Sequence, residues 1–291
     1  MSFDLHRPTT LAEAIALNVQ FGHTARFIAG GTDVVIQINR KKISPAHLID
    51  ISLIPGMNGI SELANVYSIG SLTTYRTIER CPTFQSELFA LVEAAKVVGG
   101  HQVRNIATVG GNIVNASPAA DFVPPMLTLN AVLDIVGPKG SRSVALSDFI
   151  TGPGKTNLEV GELITATRFE RLPANTATAF LKAGRRKAME ISIVCVAASL
   201  TLNKRGTQCV GVRLAVGAVG PKTLRPERAE ASLTGQAPSL ANFRAAGQLA
   251  SEAAAPITDV RASADYRYHL VAVLVERALT QCMGRITREY Q

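Results

Sequence analysis

The chain of 291 residues has no tryptophan, 5% aromatic residues and four cysteines. Each shortage excludes something. Cys81, Cys195, Cys209 and Cys282 are far apart and no two form a CxxC pair, so neither a zinc site nor an iron–sulfur cluster is expected within the chain. Scattered thiols of this kind suit a reducing cytoplasm. No run of about 18 apolar residues occurs, so no transmembrane helix is expected. The start, MSFDLHRPTTLAEA, lacks the basic and apolar regions of a signal peptide. GxGxxG is absent, which excludes a Rossmann crevice. HExxH and GxSxG are absent too, and His6, His23, His47, His101 and His269 stand isolated, so no hydrolytic apparatus is evident.

What is present is an apolar fraction of 47% and a formal charge of +8. The first is enough for one large domain or two modest ones, each with its own core. The second raises nucleic-acid binding, but the basic residues are spread along the chain. Their only tight runs are Arg40-Lys41-Lys42 and Arg185-Arg186-Lys187, with few aromatics to stack on bases. The charge reads as a solvated surface, or as one matching an acidic partner subunit.

Thr10-Leu-Ala-Glu13 is a capping box, and Leu11, Ala14, Ile15 and Leu17 follow at helical spacing. Arg26 to Ala29 reads as a strand ending at Gly30-Gly31, after which Thr32 or Asp33 caps a helix carrying Val34, Val35 and Ile38. Leu48 to Ile51 is a further strand, so the first 55 residues form a small α/β unit. Val66–Gly70 reads as a strand, Thr74–Glu79 as a short helix and Phe84–Val98 as one helix stopped by Gly99-Gly100. Ala131–Val136 and Leu163–Phe169 read as strands, and Leu172 to Asn175 as a boundary. Beyond it, Ala179–Lys182, Ile193–Leu202 and Val210–Val219 suggest an antiparallel sheet, followed by helices over Ser239–Ala255 and Tyr266–Met283.

Gly152-Pro-Gly-Lys-Thr156 invites a phosphate-loop reading and fails on spacing, because Phe149 stands where the first glycine is required. A strand over Leu146–Ile150 followed by a turn is the expectation there. Gly30-Gly31-Thr32-Asp33 is better placed, between a strand and a helix, where backbone N–H groups bind phosphate and glycine admits a ligand to the backbone. The stretch ATVGGNIVNASPAAD, Ala107 to Asp121, reads as a second junction of the same kind, with Thr108, Gly110, Gly111, Asn112, Asn115, Ser117 and Asp121 as small or polar groups. Two such junctions suit a pyrophosphate held mainly by backbone amides, in a dinucleotide that lends the chemistry.

At these residues the chain resembles a known family. Phe27-Ile-Ala-Gly-Gly-Thr-Asp-Val34, Ala107-Thr-Val-Gly-Gly-Asn-Ile113, Ser117-Pro118 and Asp121 are similar to the FAD-binding subunit of molybdenum hydroxylases, as are His101-Gln-Val-Arg-Asn-Ile106, Phe149 to Thr156 and Phe180 to Ile191. Length and the Met-acid-Ile ending look closest to the separate flavin subunit of bacterial xanthine dehydrogenases. The resemblance implies an α+β fold. Two α/β subdomains, 1–55 and 56–172, bind FAD as in the vanillyl-alcohol-oxidase type, and a C-terminal α+β domain with an antiparallel sheet, 173–291, closes over it. Carried over by position, Phe27, Ile28, Ala29, Gly30, Gly31, Thr32, Asp33 and Val34 wrap the pyrophosphate. Thr108, Gly110, Gly111, Asn112, Ser117 and Asp121 bind the remaining phosphate and adenosine side. Val98 stands where mammalian relatives stack a Phe on the flavin, Ile164 packs on the ring system, and Lys182 sits near its polar edge. Arg186 and Glu190 lie beside the face where a nicotinamide docks; the family usually has Asp at the position of Glu190.

The resemblance also implies partners: a molybdopterin-binding large subunit and a 2Fe–2S small subunit, in a heterotrimer that dimerises, with electrons passing to NAD+. No resident metal, nucleic acid or membrane is expected. The readings beside it are the flavin subunit of a related aldehyde or carbon monoxide dehydrogenase, a standalone flavin oxidase, and a subunit with a vestigial flavin site.

Overall fold

Thr10 starts the first helix, its hydroxyl accepting the Glu13 N–H at 3.2 Å. The Glu13 carboxylate reaches back to the Thr9 N–H at 3.0 Å, one residue earlier than a capping box predicts. The computed structural model describes residues 2–186 and 188–288; Lys187, the last residue of the second basic run, lies outside them. The first unit runs β1 (Asp4–His6), α1 (Leu11–Phe21), β2 (Ala25–Ile28), α2 (Val34–Asn39), β3 (His47–Asp50). Its strands are parallel in the order β1-β3-β2. Parallel neighbours need a crossover, which α2 supplies between β2 and β3. β1 carries a single apolar residue, Leu5, which leaves it no pattern to read in the sequence.

The second unit runs β4 (Ile60–Leu63), β5 (Val66–Gly70), α3 (Tyr75–Arg80), α4 (Pro82–Glu87), α5 (Phe89–Val97), α6 (His101–Ile106), α7 (Val109–Asn115), α8 (Val123–Thr128), β6 (Val132–Gly137), β7 (Gly140–Ala145), α9 (Leu146–Phe149), β8 (Ile150–Gly152), β9 (Lys155–Thr156) and β10 (Leu163–Glu170). Its main sheet has the order β4-β5-β10-β6-β7 and every pair is antiparallel. The edge strands β4 and β7 are largely exposed, so the apolar alternation that reveals a strand is missing from both. The helix expected over 84–98 is two helices, broken at Leu88 where φ is −123° and ψ is 53°. Leu146–Phe149 is helical rather than a strand, and 150–156 is a tight hairpin with Gly154 at φ +66°.

The third unit runs β11 (Thr176–Ala183), β12 (Val194–Leu202), β13 (Cys209–Gly217), α10 (Glu227–Leu233), α11 (Leu240–Glu252) and α12 (Ala264–Arg288). Its sheet is antiparallel in the order β11-β12-β13. The central strand is buried on both faces. Cys195 and Ala197 join the core of the second unit, while Val194, Val196, Ala198 and Leu200 pack in the core formed with the helices. Strand alternation sends successive side chains to opposite faces, so a strand with a core on each side reads as an unbroken apolar run. The far end of the contact is clasped by α12. Arg285 donates to the Glu93 carboxylate and the Thr178 carbonyl, and its guanidinium lies 4.3 Å from the Phe89 ring centroid. That clasp fixes α5, whose C-terminal end carries Val97 and Val98 to the site. No helix among the described residues is long and apolar enough to cross a membrane.

Candidate functional site

The two glycine motifs meet because one of their residues lacks a side chain. A Cβ on Gly30 would lie 1.8 Å from the Ile106 carbonyl oxygen, so the turn after β2 rests directly on the end of α6. Gly31 follows at φ +70°, in the left-handed region that favours glycine. Gly110 makes a second backbone contact: its N–H donates to the Ser71 carbonyl at 2.8 Å, and a Cβ there would lie 2.9 Å from the same oxygen. Gly111 differs, since its Cβ would meet only the Thr108 hydroxyl, at 2.9 Å.

The second motif departs from its expected form. It joins helix α6 to helix α7 rather than a strand to a helix, and Gly110 and Gly111 lie in the first turn of α7. Glycine is a poor helix former, so nothing in the sequence announces that turn. Its amides are also already paired. Val109 N–H donates to the Thr73 carbonyl at 3.0 Å, Gly110 to Ser71, Asn112 to the Thr108 carbonyl at 3.1 Å, and Gly111 to the Thr108 hydroxyl at 3.1 Å. The expectation that both motifs hold a pyrophosphate through backbone amides is therefore corrected: the second motif uses its amides to build the wall. At the first motif the cap position of α2 falls on Asp33, which makes no side-chain capping bond. Asp33 lines the cavity instead, and burial raises its pKa above the ordinary value.

The cavity between the motifs has a volume of about 840 Å³. From the first motif it is lined by Phe27, Ala29, Gly30, Gly31, Thr32, Asp33 and Val34; from the second by Thr108, Gly110, Gly111, Asn112, Ser117 and Asp121; and further along by Val98, Ile164 and Glu190. Three expected residues do not line it. Ile28 points to the opposite face of β2 from Phe27 and Ala29 by strand alternation. Arg186 turns its guanidinium onto the Met189 carbonyl of its own loop, at 2.9 Å. Lys182 lies behind Asp121: its ammonium donates to Asp121 Oδ2 at 2.6 Å, to the Glu190 carbonyl at 2.8 Å and to the Val97 carbonyl at 3.4 Å. The pair joins the third unit to the second in a nearly dry setting, with both side chains about one tenth exposed. Ser192 adds a hydroxyl hydrogen bond to the other Asp121 oxygen. Burial still outweighs the pull of Lys182 and Ser192 and raises the Asp121 pKa. Burial pushes Glu190 the same way, but the N–H groups of Arg185 and Arg186 and the charges of Arg186 and Lys182 outweigh it and hold this carboxyl below its ordinary value.

The cavity also has a wall that no sequence motif marked, Ser71, Leu72 and Tyr75 after β5, while Met189 and Ile191 of the Met-acid-Ile ending line it beside Glu190. The only available signal for the first group was a strand-to-helix turn at 70–75, without paired glycines. Among the described residues that line it, Arg26 is the one Lys or Arg. A smaller cavity of about 370 Å³, against α8 and the segment 219–225, contains none of the expected site residues. Among the described residues no group of three or more His, Cys, Asp or Glu is placed to hold a metal ion.

Three buried polar atoms in this wall, Ser71 Oγ, Tyr75 Oη and Asn112 Oδ1, have no hydrogen-bond partner among the described residues. Buried polar groups are normally paired, so this wall is chemically suited to a polar ligand. A cavity of this volume, walled by small residues from two units and by orphaned polar groups of the second, fits a nucleotide-type cofactor outside the Rossmann class. Comparison with known proteins specifies it. Residues 1–170 match the family described as FAD binding domain in molybdopterin dehydrogenase, and residues 179–282 match the CO dehydrogenase flavoprotein C-terminal domain. The chain is 35% identical over 282 residues to the xanthine dehydrogenase FAD-binding subunit of Escherichia coli O157:H7, covering 96% of this chain and 95% of that protein. It is 31% identical over 283 residues to the carbon monoxide dehydrogenase medium chain of Hydrogenophaga pseudoflava, covering 97% and 98%. A solved structure of carbon monoxide dehydrogenase from that organism matches with a TM-score of 0.94 at 33% identity over 98% of each chain. The chain belongs to the FAD-binding subunits of the molybdenum hydroxylase family, and its cofactor is FAD.

Three substitution experiments follow from this geometry. Gly30→Ala forces a backbone clash and is expected to destabilise the chain by at least about 1–3 kcal/mol in urea denaturation. Gly111→Val is expected to leave the fold largely intact while weakening FAD binding in a fluorescence titration; equal FAD affinity in that variant would remove Gly111 from the site. Lys182→Met leaves Asp121 buried without its partner and is expected to cost about 3–5 kcal/mol at neutral pH. Losing the ammonium lifts the already raised Asp121 pKa further, so the part of the penalty owed to the unpaired charge shrinks as pH falls through that value, while the loss of the bonds to the Val97 and Glu190 carbonyls does not titrate. Denaturation midpoints across this range check the sign.

Proposed function

We propose that the chain is the electron-transfer flavin subunit of a xanthine dehydrogenase-like enzyme, working in the cytoplasm with a molybdopterin-binding large subunit and a 2Fe–2S small subunit in a dimerised heterotrimer, with NAD+ as final acceptor. On this reading 1–55 and 56–172 hold the cofactor and 173–291 closes the site. Bound FAD supplies the exchange between single electrons arriving from the clusters and the pair taken by NAD+.

The observation that carries the reading is the composition of the cavity wall. Both glycine motifs and Glu190 of the third unit line one space, so one elongated cofactor can touch all three. The chain's own contribution is positioning and electrostatics. The turn Gly30 to Val34 is the part of the wall suited to phosphate, since first-turn helix amides have no intrahelical acceptor. Val98 and Ile164 offer apolar surface to a planar ring. Lys182 acts through Asp121 and the Glu190 carbonyl, fixing both rather than reaching the cavity itself. Glu190, held ionised, is an acceptor for the amide of an incoming nicotinamide, and Arg186 braces the loop that carries it. The four free thiols are consistent with a reducing compartment.

A second reading, the flavin subunit of a carbon monoxide dehydrogenase, is favoured by the likeness to that enzyme's medium chain, at a TM-score of 0.94. The two are separated with the purified complex. The first predicts NADH-dependent dye reduction by the flavin-loaded complex and NAD+-linked oxidation of a purine. Failure to exchange electrons with any nicotinamide, together with oxidation of carbon monoxide, would favour the second.

A further inference from the structure

The turn from β5 into α3 puts Ser71, Leu72 and Tyr75 in the cavity wall, between the two glycine motifs. Tyr75 is held without freedom. It is 0% exposed, its ring meets the Phe122 ring edge-on at a centroid distance of 5.0 Å, and its N–H donates to the Ala107 carbonyl at 3.2 Å. Its ring is therefore fixed by the residue that opens the second motif and by the one after Asp121. The hydroxyl, by contrast, has no hydrogen-bond partner among the described residues. An unpaired buried hydroxyl costs free energy, and most native cases find a partner. No group of the described residues pairs it, and the cavity that Tyr75 lines is the side from which a ligand can approach.

Burial raises the Tyr75 pKa well above 10.0, and the neighbouring charges of Asp121 and Asp33 raise it further. The phenol is therefore neutral and a donor throughout the ordinary pH range. Asp33 belongs to the first motif and Asp121 to the second, so the hydroxyl stands within the influence of both.

We propose that the Tyr75 hydroxyl is a cofactor ligand, donating a hydrogen bond to an acceptor atom of FAD where the molecule passes between the two motifs. The proposal rests on FAD occupying this cavity. It makes Tyr75, which belongs to neither glycine motif, a binding residue in its own right. Ser71, whose hydroxyl is orphaned in the same wall, contributes a second polar contact beside it.

The test is Tyr75→Phe in the full chain, which keeps the ring and removes only the hydroxyl. Two quantities are read: FAD affinity by titration of flavin fluorescence, and the thermal midpoint of the cofactor-free chain. The expected result is FAD binding about tenfold weaker, equivalent to about 1.4 kcal/mol, with the cofactor-free midpoint unchanged or raised because an unpaired polar group has left the interior. Unchanged FAD affinity overturns the proposal. A lowered midpoint in the cofactor-free chain also overturns it, because the hydroxyl would then be bonded within the protein. A wild-type chain that takes up no FAD overturns the assignment beneath it, which separates that failure from the failure of Tyr75.

Discussion

Everything at the site depends on the contact between Gly30 and the carbonyl of Ile106. The space a methyl group would need is already filled by backbone, 1.8 Å from the would-be Cβ. That approach lets the first unit dock its β2–α2 turn onto the α6–α7 corner of the second. The cavity is lined by residues of both turns that this contact brings together. Leu72 and Leu163 of the second unit complete the apolar core of the first, which makes the docking a packed interface rather than a hinge.

The third unit is attached by different physics. One face of β12 merges with the second unit's core, and the Lys182–Asp121 pair with Ser192 seals the edge nearest the cavity. A buried ion pair is weak evidence for stability, because desolvating both charges offsets much of their attraction. Its value here is geometric. Three acceptors surround one ammonium, and they come from α5, from the end of the second motif and from the Glu190 loop. The pair thus fixes three parts of the site relative to one another, and it explains why Lys182 lies behind the cavity wall rather than in it.

Much of this was legible in the sequence, and the exceptions have physical causes. The capping box at Thr10, the strand-to-turn-to-helix passage at Gly30 and the antiparallel third sheet follow local rules that burial does not override. The helices α7 and α8 were not legible, because glycines, prolines and small polar residues have low intrinsic helicity and are held helical by tertiary packing. The edge strands β4 and β7 have no apolar alternation to read. Residue type and the resemblance both assign Gly110 and Thr108 to the ligand; their bonds to Ser71 and Gly111 are long-range and capping contacts that only the fold reveals. Tyr75 went unnoticed because a tyrosine at a helix start reads as core, and its orphaned hydroxyl is a property of three dimensions.

The central claim is a division of labour: the turn at 31–34 holds the cofactor by its backbone, while 109–112 has spent its amides on the wall and offers only shape and side chains. Amide hydrogen exchange of the full chain with and without FAD tests this most directly. The account predicts a large gain in protection at residues 31–34 and little change at 109–112, where the amides are already bonded. A gain confined to 109–112, or none at 31–34, would contradict it.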